Sequence, residues 1–186
     1  MDTQVLALAS ALKLCLTNAV TGNPGSPPLS NICYRLDLQV AHDADLYDDL
    51  CCEGLAYVSF GDIYPVYEST DINTARQMEP CSPPAWGVNL RAGIIRCVPV
   101  GTDTTMPTCQ EWADSFTQAA HDAQALRATA CCFRSYIRSQ DGSGPFWGMG
   151  VVVGHQSQVQ LQGGCVERNV QIAVQIPNCD CGTISI

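Results

Sequence analysis

Trp86-Gly87-Val88-Asn89-Leu90-Arg91-Ala92-Gly93-Ile94 sets Trp86, Val88, Leu90, Ala92 and Ile94 on one side of an extended chain and Asn89, Arg91 and Gly93 on the other. A period of two is the pattern of a strand with one buried face, and this is the longest such run in the sequence. Before it, Leu55 to Phe60 and, after Gly61-Asp62, Ile63 to Tyr67 are rich in aromatic and β-branched residues, which suit a pleated, partly buried surface. Ile32-Cys33-Tyr34-Arg35 predicts a short strand. Beyond residue 145, Trp147 to Val153 and the alternating Val170, Ile172, Val174 and Ile176 predict two more, with Gly163-Gly164 between them as a turn or bulge.

Two stretches carry the helical period instead. Val5, Leu8, Leu12, Cys15 and Ala19 recur at three-and-four spacing, predicting a helix over about 3–20 that stops before Gly22-Asn23-Pro24-Gly25. Thr108 and Glu111 form a capping box, and Trp112, Phe116, Ala119, Ala123, Leu126, Ala130 and Phe133 then hold one face, predicting a helix over about 108–133. Strands in runs, rather than alternating with helices, predict an α+β fold: a mainly antiparallel sheet of four to five strands packed with two helices. The segments 22–31, 38–53 and 68–84 read as long loops within a single domain spanning 1–186. There is no internal repeat.

The net charge is −9, with 9 Lys and Arg against 18 Asp and Glu. Nucleic-acid binding needs clustered cations to neutralise phosphates, so this balance argues against it. The apolar run near the N-terminus is expected to belong to the domain and not to a secretory leader, because Met1-Asp2 is acidic and Lys13 interrupts it. No other run approaches the length of a membrane span, and no membrane partner is expected.

Twelve cysteines are present. No pair has the two-to-four-residue gap that lets one turn deliver two thiolates to a tetrahedral ion, so no metal or other cofactor is expected. Cys15 and Cys109 fall on the predicted helices and read as small core residues. Cys33, Cys51, Cys52, Cys81, Cys97, Cys131, Cys132, Cys165, Cys179 and Cys181 lie mostly in loops and at strand ends and are candidates for disulfides, with the pairing open.

A catalytic nucleophile needs a base within hydrogen-bond reach. Of the three histidines, His42 lies in the acidic run 42–49 and His155 at a strand end. His121-Asp122 sits off the apolar stripe of the second helix and reads as exposed. Asp48-Asp49 has nothing to separate its two pKa values, and Ser143 in Gly142-Ser143-Gly144 has a turn's composition. No phosphate loop, nucleophile elbow or dinucleotide fingerprint occurs, so the sequence reads as a non-enzyme.

The order of motifs carries a resemblance. Asp48-Asp49-Leu50-Cys51-Cys52-Glu53-Gly54-Leu55-Ala56-Tyr57-Val58 is followed by Ile63-Tyr64-Pro65, Ala85-Trp86 and Arg96-Cys97-Val98-Pro99-Val100. Ala120, Asp122, Leu126, Ala130 and Cys132 come next, then Gln162-Gly163-Gly164-Cys165-Val166 and Cys179-Asp180-Cys181. Over nearly the whole chain this resembles the cysteine-rich head-to-tail connection proteins of actinobacterial siphophages, and the element order looks like their tail terminator branch. The resemblance implies a structural virion protein at the tail-neck junction, assembled in the host cytoplasm. It implies a homo-oligomeric ring, typically a hexamer, that caps the major tail tube protein and meets a head-to-tail stopper or neck protein. The genome would pass through its lumen without specific binding. No catalytic residue carries over. Phe146 and Trp147, large aromatics beside a Gly-rich loop, either fill the domain's own core or are candidates for the subunit interface. Alternatives are another connector ring, a stopper or adaptor, and, from a different class, a secreted disulfide-rich binding module.

Overall fold

The computed structural model describes residues 3–23, 25–27, 29–35, 54–66, 85–101, 105–139, 149–160 and 164–177. Helix α1 runs Thr3–Thr21 and buries Val5, Leu8, Leu12, Cys15, Leu16 and Val20 on one face. It is long and apolar enough to cross a membrane, yet 39% of its most apolar window is buried within the domain. Gly25, at φ 67°, takes the left-handed conformation that turns the chain after the helix. A short 3-10 turn, Leu29–Asn31, then leads into β1, Ile32–Arg35.

Strand β2 is Leu55–Val66 and β3 is Ala85–Cys97. The two apolar runs on either side of Gly61-Asp62 belong to one strand, because the register shift between Phe60 and Ile63 absorbs the intervening residues as a bulge. Helix α2 is Cys109–Arg138, capped by Thr108 as the sequence predicts: its hydroxyl accepts from the Glu111 amide while the Glu111 carboxylate accepts from the Thr108 amide. It extends five residues beyond the predicted end, burying Ile137 in its added turn. Strands β4, Gly150–Gln160, and β5, Cys165–Pro177, complete the fold.

The order across the sheet is β1-β2-β3-β5-β4. Only β1 with β2 is parallel; β2 with β3, β3 with β5 and β5 with β4 are antiparallel. The fold is α+β, two helices on a five-stranded mixed and mostly antiparallel sheet.

Both helices pack on one face. Val88, Leu90, Ala92 and Ile94 of β3 alternate toward them with Ala56 and Val58 of β2 and Val170, Ile172, Val174 and Ile176 of β5. The period-two reading of β3 therefore identifies the core face. The other face holds a smaller cluster of Leu55, Tyr57, Ile95 and Cys165. There Tyr57 stands opposite Gly93 and Tyr64 opposite Gly87, and a Cβ at either glycine would run into the facing ring. Each glycine gives up side-chain packing so that an aromatic from the next strand can lie over the backbone.

Cys15 is not the lone core residue its helical position suggests. It is bonded to Cys132 of α2, with Cα atoms 5.7 Å apart across 117 residues of sequence. The two helices lie side by side on the sheet, so their facing surfaces bring sulfur to sulfur. Cys165 is also disulfide-bonded. Cys33 and Cys131, by contrast, are free thiols, as is exposed Cys109. Cys51, Cys52, Cys81, Cys179 and Cys181 lie outside the described residues.

Candidate assembly surface

The second helix divides at about Asp122. From Ala125 onward its stripe is buried through Leu126, Thr129, Ala130, Phe133 and Ile137. Before Asp122 the same stripe faces outward: Trp112 is 51% exposed and Phe116 76%. Met106, just ahead of the helix, is 82% exposed. Periodicity assigned all seven stripe positions to one face, but only the later turns press onto the sheet; a groove opens between the earlier turns and Ile94, Arg96 and Val166.

A groove of about 360 Å³ runs beside this exposed half. Ile94, Val98 and Val166 from the sheet and Trp112, Phe116 and Ala119 from α2 give it an apolar lining. Its polar lining includes Ser115, Gln158, Arg168 and an ion pair. Arg96 donates to both carboxylate oxygens of Asp122, Nε at 2.8 Å and Nη2 at 2.9 Å, the bidentate geometry that guanidinium and carboxylate share. Gln118 donates to Asp122 as well, at 3.3 Å. Asp122 is 4% exposed, so the expectation that His121-Asp122 is an exposed pair is corrected for its second member. A signal for this was present: Asp122 falls three residues after Ala119 and four before Leu126, and Arg96 lies two after Ile94, so each is a charge at a core-facing position and each answers the other. Gly54, at φ 87°, clears the space; a Cβ there would stand 2.7 Å from the Arg96 guanidinium.

A second polar group lies on the opposite face of the sheet. The Tyr57 hydroxyl donates to Glu167, and Asn169 donates to the same carboxylate oxygen at 2.5 Å. Ser157 donates to Asn169 at 2.8 Å, and Arg91 Nη1 stands 3.8 Å from Glu167. Burial, reinforced by the Glu167 carboxylate, pushes the Tyr57 phenol far above its ordinary range, so it stays a hydrogen-bond donor. The group takes one or two residues from each of β2, β3, β4 and β5 and ties four strands together.

Neither group includes a histidine. His121 lies half-buried on α2 and His155 exposed on β4. Among the described residues no three His, Cys, Asp or Glu side chains converge as metal ligands would. Phe146 and Trp147, the residues put forward from sequence as interface anchors, lie outside the described residues, as do His42, Asp48, Asp49 and Ser143. Trp112 and Phe116, which the sequence placed on one face of the second helix, are the most exposed of the described aromatics. Comparison with family models and with characterised proteins returns no match.

Proposed function

We propose that this chain is a structural virion subunit, a tail terminator that assembles as a ring capping the phage tail tube and joining it to the head-neck connector. The observation that carries the reading is the outward-facing half of α2. Trp112 and Phe116 stand together in the lining of one groove, with Met106 exposed just ahead of the helix, and apolar surface gathered in this way marks a contact with another protein. The aromatics stand beside a groove in which Arg96 and Asp122 satisfy each other, so the surface offers shape and apolar area together with the Arg168 side chain at its rim. The net charge of −9 supports a lumen that repels phosphates and lets the genome through.

The test is the mass of the native protein by light scattering, alone and with the major tail tube protein. A closed ring of about six subunits, formed alone or on the tube, is the expected result. A monomer at every concentration, indifferent to the tube protein, overturns the reading. That outcome would favour the secreted binding module, for which the Cys15–Cys132 bridge is the supporting observation, since disulfides persist in oxidising compartments.

A further inference from the structure

The two edges of the sheet differ in length and chemistry. β1 contributes 4 residues and β4 contributes 11. The β4 sequence, Gly150-Val151-Val152-Val153-Gly154-His155-Gln156-Ser157-Gln158-Val159-Gln160, contains no Asp, Glu, Lys, Arg or Pro. Those are the residues that normally blunt a free edge, whose row of unpaired amides and carbonyls otherwise accepts another strand. Val152 is 67% exposed on it, and among the described residues its protective device is the register shift between Val153 and Gln156. Between β4 and α2 runs a second groove, of about 670 Å³, with Ala120, Ala123 and Val153 in its lining and the exposed Arg127 and Arg134 beside them.

The opposite edge carries a ridge. The Tyr34 hydroxyl of β1 donates to Ser10 of α1 at 3.2 Å, and Lys13 Nζ stands 4.4 Å from the Tyr34 ring. This face of α1 therefore borders the β1 edge. Leu6 and Leu14 lie one turn on either side of Ser10 in the same row, 53% and 58% exposed.

Strand direction makes these edges complementary. With one parallel and three antiparallel pairings, β1 and β4 run in opposite senses. A neighbour placed sideways in the same orientation brings its β1 antiparallel to this β4, the more stable pairing. Its helices fall on the same side of the extended sheet, and its Leu6–Leu14 row comes toward the groove between α2 and β4. β4 itself has no charged side chain to oppose an incoming strand; the charges that meet lie above it, Arg127 and Arg134 of the groove and Lys13 of the incoming α1.

We infer that β4 and the α2–β4 groove receive β1 and the Leu6–Leu14 row of a second copy of this chain, head to tail. The contact is heterologous, one patch meeting a different patch, as a closed ring requires. The inference rests on the ring reading and names the two surfaces that build the ring.

The test is a charge swap read by native mass, with far-UV circular dichroism confirming that each variant is folded. Leu14→Arg places a cation against Arg127 and Arg134 of the next copy and is expected to raise the concentration needed for assembly at least tenfold. Adding Arg127→Glu is expected to recover most of that loss. Hydrogen exchange on the wild-type ring is expected to show slowed amides within 150–160 relative to the Leu14→Arg monomer. A Leu14→Arg protein that assembles at wild-type concentrations, or a ring whose 150–160 amides exchange as fast as the monomer's, overturns the inference and leaves the ring reading standing. A wild-type chain that never assembles, with or without tube protein, overturns both.

Discussion

The two halves of α2 have the same periodicity and opposite fates. After Asp122 the stripe enters the core; before it, Trp112 and Phe116 project over a groove. A helical repeat tells which residues share a face, and how closely the neighbouring element packs tells whether that face is covered. Where the packing opens, the remaining apolar residues stay exposed.

The largest way to break this contrast is at the bridge that fixes the buried half to α1. Replacing both Cys15 and Cys132 by alanine is expected to lower stability by about 4–5 kcal/mol, the loop-closure term for a cross-link spanning more than a hundred residues. Chemical unfolding of the double variant beside the wild type, both without reductant, measures it, and equal midpoints would show that the bridge contributes nothing. Next come the two phenylalanines. Phe133→Ala, in the core, is expected to cost about 3–5 kcal/mol. Phe116→Ala, on the exposed half, is expected to change monomer stability by no more than about 0.5 kcal/mol while weakening assembly. Similar losses of monomer stability in the two variants would erase the distinction between the halves.

At the boundary, Asp122→Ala leaves the Arg96 guanidinium without its carboxylate and is expected to cost about 3 kcal/mol by thermal unfolding. A loss within the range of surface substitutions would mean that water takes the carboxylate's place. The smallest effect lies at the exposed end. Hydrogen bonds from the Thr108 amide and hydroxyl hold the Glu111 carboxyl below its ordinary range. The stabilisation is therefore present above about pH 4.5 and is lost as pH falls through the lowered value. Helicity of the wild type is expected to drop slightly more than that of Glu111→Gln on acidification, with circular dichroism as the readout. Superimposable profiles would remove the cap from the account.

Much of this fold is legible in the sequence because its two periods are clean. Val88, Leu90, Ala92 and Ile94 give the core face of β3, and Thr108 with Glu111 gives the start of α2 to the residue. β4 is harder, since Gln156 to Gln160 has no apolar alternation; at a sheet edge the backbone pairing, not burial, makes the strand. The parallel placement of β1 depends on a contact across more than twenty residues of sequence, which no local pattern encodes. The candidate surface is legible only in part. Trp112 and Phe116 are placed on one stripe, but their exposure follows from the groove that opens between this part of α2 and the sheet. Cys15 and Cys132 are separately visible, whereas their pairing follows from how two helices lie together.

The cluster of Tyr57, Arg91, Ser157, Glu167 and Asn169 bears on folding fidelity. β3 and β5 pair without interruption from Ala85 and Pro177 to Cys97 and Cys165, and so long and regular a ladder offers neighbouring alignments of nearly equal backbone hydrogen bonding. A slip of one residue turns every side chain to the opposite face. Here it would carry Glu167 and Asn169 into the apolar layer beneath the helices, at the cost of a buried carboxylate without its partners. The cluster thus acts as a proofreader of alignment, rejecting wrong registers by their expense and leaving one sheet for the helices to close upon.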